Sequence, residues 1–527
     1  MKHMKRFTSI VFIGFTLVVF LVLFYGCPYH LLHKEQISLF LYTCESFLVY
    51  GDKPALLACL CGDFLTQFFC FRMVGPLVIA GITTGIALCF YWILGKLWGQ
   101  KRLWLFFALL VGGVEALRAC QLIYPLSSSV SLLLGEVLFL LYQGLKSKNG
   151  QKWMGLLIGT IGYIFIGYGI FVFLLFLLLE LGKEKDWKEK AYVLGLSLLI
   201  AFIPLLGRDA YLLTGKQVYF YPAIAEETGY DVPLYERLLK LDWESAAGNW
   251  KEVRKILPKE SVLSLDSYYY NMAWAAEGQL PEKLLAYHQP GLEGLFIPID
   301  ASSSYLTALW SGELWFRLGD MTMAEPAYLL SMIFTPQYKG RRMIQRLAEI
   351  HLIHGDTEAA KKYLRILSQT LFYREWANER MSEHLTPDVE SWLQERRRWL
   401  PTTDTIRIST MDVVKSLRTL VKSCPENTLA YDYLLCFHLL SKDIDSFIQD
   451  YRPVAGKAPK RLYAEALLID LFRKKASAQE IQHLIVDPDI MLDFKAYNQL
   501  AKENPTLLAR RFGKTYWYYY QFIKTNN

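Results

Sequence analysis

Long apolar runs alternate with short basic clusters over residues 7–206, and from residue 208 onward the pattern changes to polar sequence with helical periodicity. A helix needs roughly 20 apolar residues to cross a hydrocarbon core of about 30 Å. By that measure the runs 8–26, 74–95, 103–124, 128–145 and 191–206 are spans, the last closed by Pro204 and Gly207-Arg208. The stretch Trp153–Leu181 is too long for one upright crossing and slightly short for two, and its glycine-rich middle, Gly162 to Gly169, is where a turn would fall. The pattern predicts an all-α chain in three parts: a transmembrane helical domain over 1–207, a connector over 208–231, and a soluble helical domain over 232–527.

The basic clusters set an orientation. Lys2, Lys5 and Arg6 precede the first span, Lys96, Lys101 and Arg102 divide the second from the third, and Lys146, Lys148 and Lys152 follow the fourth. Tyr124-Pro125-Leu126-Ser127 carries no charge. Lysine and arginine are retained on the cytoplasmic side, so the amino terminus is expected there and the first long loop, 27–73, outside. Lys183, Lys185, Lys188 and Lys190 make the far end of Trp153–Leu181 basic as well, which favours a hairpin of two short helices. That gives seven spans and an extracytoplasmic carboxy-terminal domain; six spans would leave the domain in the cytoplasm. The net charge of +7 then reports orientation and gives no reason to expect nucleic acid as a partner. Phe24-Tyr25-Gly26-Cys27 ends as a lipoprotein signal would, but its bulky aromatics do not suit a small-residue cleavage site, so an uncut anchor is expected.

The soluble part reads as repeated helix pairs. Its clearest unit begins near Ser304, with Gly312 where two helices touch, Gly319 ending the first helix, Ala324 and Tyr328 packing the second, and Pro336 stopping it. This resembles a tetratricopeptide repeat. A further copy centres on Gly355-Asp356, and weaker ones on Gly248-Asn249-Trp250 and Gly278-Gln279-Leu280, each glycine at a helix-to-helix turn; 426–450 and 461–485 look like degenerate pairs. The resemblance implies a short α-solenoid whose curved inner face would bind a peptide, a protein partner or a polymer. Within it, Tyr268-Tyr269-Tyr270 with Trp274, Trp310 and Trp315 read as core, His351 and His354 as solvated or capping, and Arg396-Arg397-Arg398 as an exposed face. The closing Tyr516-Trp517-Tyr518-Tyr519-Tyr520-Gln521-Phe522 reads either as a cap on the array or as an aromatic anchor at the membrane surface.

Motifs for familiar chemistries are absent. No phosphate-binding G-x-x-x-x-G-K-[ST] loop, G-x-S-x-G elbow or H-E-x-x-H helix occurs, and Cys59-x-Cys61 has no matching second pair for zinc, so no protein metal site is expected. Of the nine cysteines only Cys424 and Cys436 lie in the soluble part, as buried thiols or, outside the cytoplasm, a disulfide. Chemistry is expected in the loop 27–73, which carries Glu35, Glu45, Asp52 and Asp63 between apolar stretches and is predicted to lie as amphipathic helices on the membrane. Transfer of a sugar from a lipid carrier needs a carboxylate at that boundary, to deprotonate the acceptor hydroxyl or to hold a divalent cation against the phosphate leaving group.

Asp63-Phe64-Leu65-Thr66-Gln67-Phe68-Phe69 resembles the Asp-x-x-x-Gln-aromatic element of lipid-linked sugar transferases of the GT-C superfamily. The resemblance implies Asp63 as the catalytic residue with Gln67 beside it. Glu115 and Arg118, three apart in the third span, and Glu136 in the fourth should point into the bundle, because isolated charges in lipid cost several kcal/mol. Arg118 with Glu115 is then a candidate substrate site, the guanidinium meeting a lipid phosphate. The plainer alternatives are an aspartate capping a surface helix and a structural Glu115–Arg118 pair. Over nearly its full length the chain is similar to an uncharacterised family of multipass membrane proteins from Bacteroidota, carried by Gly62 to Phe69, the multispan domain, the repeat-like part and the aromatic end. That similarity implies a Gram-negative inner membrane with the carboxy-terminal domain in the periplasm. Three functions compete: a GT-C-like transferase acting on a lipid-linked sugar, a non-catalytic scaffold whose repeats gather envelope proteins, and a transporter, the weakest of the three because the charges are few and no inverted repeat of broken spans is evident.

Overall fold

The apolar runs fold into helices wherever length and composition allow it. The computed structural model describes residues 2–182, 186–223, 231–402, 412–453, 458–475, 487–503 and 505–524, and among these every regular element is helical. Helix α1 is Lys2–Gly26, α2 Pro28–Gln36, α3 Cys44–Val49, α4 Leu56–Thr66, α5 Val74–Trp98, α6 Arg102–Ala119, α7 Leu126–Gly144, α8 Lys148–Ile166, α9 Ile170–Leu181 and α10 Trp187–Gly207. Among the described residues, five segments are long and apolar enough to cross a membrane: Arg6–Gly26, Val74–Trp98, Leu126–Gly144, Lys148–Leu181 and Trp187–Gly207. The expected third span is present as α6, 18 residues long and carrying Arg102, Glu115 and Arg118. It ends at Ala119, short of the 124 its hydropathy indicated, where Lys34 takes the Ala119 carbonyl.

Packing fixes the direction of each helix. Phe12 meets Tyr91 and Thr16 meets Thr84, so α1 and α5 are antiparallel. Trp98 meets Trp104, while Gly112 lies against Ala87 and the Thr83 carbonyl, so α6 reverses again. Along α7, Ser131 donates to the Ile166 carbonyl at one end and Tyr142 lies against Gly155 at the other, which makes α8 antiparallel to it. Gly169 packs on Ser131 and Gly135, and Phe173 and Phe176 on Phe139, so α9 runs parallel to α7. The chain thus turns back at Gly167–Gly169, a single 3-10 turn in which Gly167 has φ +63. A Cβ on Gly135 or Gly169 would overlap the facing backbone, so this close approach requires glycine at both positions. Helix α10 lies along α8 through Tyr192, Leu196 and Ile200. The glycine-rich stretch is therefore a hairpin, though α9, at 12 residues, is about 18 Å long and shorter than a hydrocarbon core.

The described chain divides into two units, residues 1–239 with 335–345 and 363–379, and residues 240–334 with 346–362 and 380–527. The first contains α1–α10, then α11 (Gly215–Phe220) and the start of α12 (Val232–Ala246). Two segments from late in the sequence belong to it, a division that no change of composition announces.

The second unit is built of paired helices. Helices α13 (Trp250–Ile256) and α14 (Ser264–Ala276) pack together, as do α16 (Tyr305–Leu318) and α17 (Met321–Phe334), after the short α15 (Leu280–Lys283). Gly312 lies against Ala327 and Tyr328, the close contact its position required. Gly248, Gly278, Gly319 and Gly355 all have positive φ, between +69 and +93. The left-handed backbone that ends a helix is thus present at each expected turn. The tyrosine cluster is core: Tyr268 and Tyr269 are buried, and Tyr270 stacks on Tyr287 at 4.5 Å.

One surface expectation needs revision. Arg397 donates to the Leu352 and Ile353 carbonyls near the carboxy terminus of α18 (Arg341–His354), and Arg396 lies over Phe316, so that run is a helix-end clamp as well as a charged face. The aromatic end forms a short helix, Tyr516–Phe522, whose Trp517 indole donates to Glu465 O at 3.0 Å and whose Tyr516 and Tyr519 hydroxyls donate to Leu439 O and Leu440 O. It packs against the helices Thr428–Leu440 and Arg461–Arg473. All nine cysteines are free thiols, Cys424 and Cys436 included.

Candidate functional site

Helix α2 follows α1 with only Cys27 between them and is polar by sequence, yet all but one of its nine residues are buried. Each charged side chain in it has an answering group within the first unit. His30 Nδ1 lies 2.5 Å from Glu236, whose carboxylate also accepts the Tyr29 and His30 backbone N–H groups. Lys34 donates to the Ala119 and Tyr124 carbonyls at 2.6 and 2.9 Å, a cation set at the carboxy-terminal end of α6. Burial pushes the Lys34 ammonium down to about 8. Glu35 receives a two-pronged bond from Arg341, at 2.8 and 3.2 Å, and a third from the Tyr373 hydroxyl at 2.8 Å. Burial alone would lower Arg341, but Glu35 beside it holds the guanidinium above its ordinary value. Gln36 accepts from Arg342 at 3.1 Å.

Asp63 lies in the last turn of α4, inside the helix, and does not cap it. Its side chain is 9% exposed, and both oxygens are taken: Tyr50 donates to one at 3.0 Å and Gln337 to the other at 3.2 Å. Burial pushes the carboxyl up, while Lys339 and these two hydrogen bonds pull it back. Lys339 also sits 5.9 Å from the centre of the Tyr50 ring. One turn on, Gln67 accepts from Tyr42 at 3.1 Å and donates to Phe64 O. With Glu35, Arg341, Tyr373, Phe40 and Phe372 it lines a small open cleft.

Helix α4 sets Gly62 against the Ser127 backbone at the start of α7, and α2 is enclosed. Exposed apolar side chains of the loop are on α3, at Phe47, Leu48 and Val49, on α4, at Leu57 and Phe64, and after it at Phe71 and Met73.

Glu115 and Arg118 form a second cluster. Glu115 is 3% exposed and accepts from Tyr124 at 2.7 Å and Ser129 at 2.6 Å, with Arg118 at 3.7 Å. The Arg118 side chain, 38% exposed, lies over the Tyr124 ring. The structure brings Asp63 near Gln67 and Glu115 near Arg118, but the two pairs have different partners. The start of α7 lies between them, Ser127 against α4 and Ser129 on Glu115. A divalent cation does not suit Asp63: its neighbours are a phenol, an amide N–H and an ammonium, which are donors and a cation where a metal needs further oxygen ligands. Among the described residues no three His, Cys, Asp or Glu side chains gather as a metal site.

Sequence reading missed Glu35 as a paired group, and with it Tyr50, Gln337, Lys339, Arg341 and Tyr373. One signal was available. Lys339-Gly340-Arg341-Arg342 places three cations in four residues directly after the Pro336 stop.

One protein-family profile, described as a family of unknown function (DUF6057), matches residues 2–523. No curated protein and no solved structure matches the chain.

Proposed function

We propose a function from one premise: the chain belongs to the DUF6057 family, which spans it from residue 2 to 523 and carries no assigned activity, so the reading must come from this chain's own residues. It is a multipass membrane protein of the cell envelope that acts as a platform, its helical-repeat part gathering other envelope components. The observation that carries this is Asp63. Both of its oxygens are engaged by side chains of its own chain, Tyr50 and Gln337, so the acid best placed for transfer chemistry serves to hold segment 335–345 on α4. The left-handed glycines at the helix turns support the tetratricopeptide-like reading of the soluble part. Sidedness follows from the same reasoning. Seven helices alternating in direction, with basic clusters at Lys2 to Arg6, Lys96 to Arg102 and Lys146 to Lys152, support a cytoplasmic amino terminus and a periplasmic carboxy-terminal domain.

The GT-C-like transferase is the second reading, and one observation favours it. Gln67 shares a small open cleft with the Glu35–Arg341 pair, so an amide and a charged pair face one opening. An Asp63→Asn variant at normal abundance separates the two readings. Its amide can accept from only one of the two donors and must donate to the Tyr50 oxygen in place of accepting from it, so two charge-assisted bonds become neutral ones at a cost of about 1–3 kcal/mol. The platform reading expects a lowered melting temperature with envelope glycans unchanged. Glycans lost at an unchanged melting temperature would overturn it in favour of transfer.

A further inference from the structure

A file of phenylalanine rings crosses the end of the first unit at which α5 begins. Phe71 stands 5.2 Å from Phe372, Phe372 5.5 Å from Phe68, Phe68 5.5 Å from Phe64, Phe64 5.6 Å from Phe40 and Phe40 6.0 Å from Phe47, each pair edge to face. Phe372 alone comes from far along the chain, in the turn 369–373; the other rings belong to the loop before α5. Its place is fixed from both sides. The Tyr42 N–H donates to Gln369 O at 2.9 Å, and the Tyr373 hydroxyl to Glu35 at 2.8 Å. Two remote parts of the sequence thus build one surface.

That surface is apolar and open. Phe47, Phe64 and Phe71 are each at least 40% exposed, and Leu48, near the end of α3, is 76% exposed. Met73 and Leu371 extend the exposed patch beside Phe71 and Phe372. Single exposed rings are ordinary, but a contiguous set marks a surface that something apolar covers.

The helix beside it indicates what the cover is. The Leu77 N–H bonds to Met73 O, so Met73 stands one turn before Leu77, and Met73, Leu77 and Gly81, all exposed and four apart, form one stripe that carries the patch on into the apolar face of α5. Helix α5 has 25 residues and is about 37 Å long against a hydrocarbon core of about 30 Å, long enough for its first turn to reach the lipid head groups. Aromatic rings favour that level, and arginines beside them reach lipid phosphates. Arg72, next to Phe71, and Arg374, two residues after Phe372, are both exposed there. Helix α3 has the matching polarity, with Cys44-Glu45-Ser46 at its start and Phe47-Leu48-Val49 at its end.

We infer that this patch is seated in the bilayer interface: the end of α3, the rings and the Leu371–Phe372 turn contact phospholipid chains just below the head groups. The inference rests on the multipass reading of the chain. It gives segment 363–379 a part beyond packing, as a lipid contact made by the polypeptide long after its last span, on the same leaflet as the first loop.

The test uses the full-length protein in nanodiscs of phosphatidylethanolamine and phosphatidylglycerol, doped with a phosphatidylcholine that carries a photoreactive diazirine either near the glycerol or at the chain end. Peptide mass spectrometry then locates the adducts. Peptides holding Phe47–Val49, Phe71–Met73 and Leu371–Phe372 should be labelled severalfold more by the shallow probe than by the deep one, and the middle of α5 the reverse. Leu48→Glu combined with Leu371→Glu changes two exposed positions, so the variant should elute from detergent as wild type does, with patch adducts reduced severalfold and α5 adducts unchanged. A labelled α5 beside an unlabelled Leu371–Phe372 peptide would overturn the proposal and leave a protein surface as the cover. Patch adducts that the two glutamates do not reduce would overturn it too. An unlabelled α5 would instead sink the multipass reading itself, and the inference with it.

Discussion

Helices α2 and α7 both bury acidic side chains in the same unit, and they treat them in opposite ways. In α2, Glu35 has three donors and Lys34 two carbonyl acceptors, so the cost of taking them out of water is offset by charge-assisted bonds. In α7, Glu136 has no hydrogen-bond partner on one buried oxygen. The contrast separates two reasons for a buried charge. A fully answered one fixes geometry, here the return of 335–345 and 363–379 to the first unit. An unanswered one stabilises nothing and calls for an explanation in function.

The largest effect should come from breaking the answered group. Glu35→Ala leaves the Arg341 guanidinium and the Tyr373 hydroxyl buried without their acceptor, and loss of one partner of a buried ion pair costs roughly 3–5 kcal/mol. Thermal unfolding in detergent should show the greatest drop of any substitution discussed here, and adding Arg341→Ala should restore part of it, because the stranded cation is then gone. A double variant no more stable than Glu35→Ala would mean that the pair is not coupled.

How much of this was readable in advance depends on the reach of each interaction. The apolar runs, the turn at Gly167–Gly169 and the helix-ending Gly319 and Gly355 were legible because hydropathy and backbone handedness are local properties. Asp63 stood out as an acid among apolar residues, but its partner Gln337 lies 274 positions away, so its engagement could not be read. Helix α2 was the largest omission. Pro28-Tyr29-His30-Leu31-Leu32-His33-Lys34-Glu35-Gln36 has the composition of an exposed loop, and only groups as distant as Ala119, Glu236, Arg341 and Tyr373 make its burial tolerable. The reverse held at the carboxy terminus. Its aromatics allowed a membrane anchor as readily as a cap, and no local signal pointed to Glu465, which binds both the Tyr516 N–H and, through its own carbonyl, the Trp517 indole.

Glu465 is an intermediate case in the second unit. It accepts from Arg461 and the Tyr516 backbone, yet burial raises its carboxyl to about 7 from 4.5. A folded value above the unfolded one means that its contribution is fully present below about 4.5 and is lost as pH rises through about 7. Between pH 5.5 and 8 the melting temperature should therefore fall, by an amount equivalent to on the order of 2 kcal/mol, and Glu465→Gln should flatten that part of the slope. An unchanged slope in the variant would place Glu465 with Glu35, as an acid whose partners outweigh its burial.

The smallest stability effect should come from Glu136, and its smallness is what makes it informative. Glutamine has nearly the same shape, and the substitution breaks no hydrogen bond at the unpartnered oxygen, so the melting temperature should stay within roughly 0.5 kcal/mol of wild type or rise slightly, as replacement of an uncompensated polar group allows. Glu35→Gln, by contrast, still loses the charge that Arg341 requires and should be clearly destabilised in the same assay. If Glu136→Gln destabilised the protein as much as Glu35→Gln, Glu136 would be a structural acid like the one in α2. The acid on α7 would then be part of the packing.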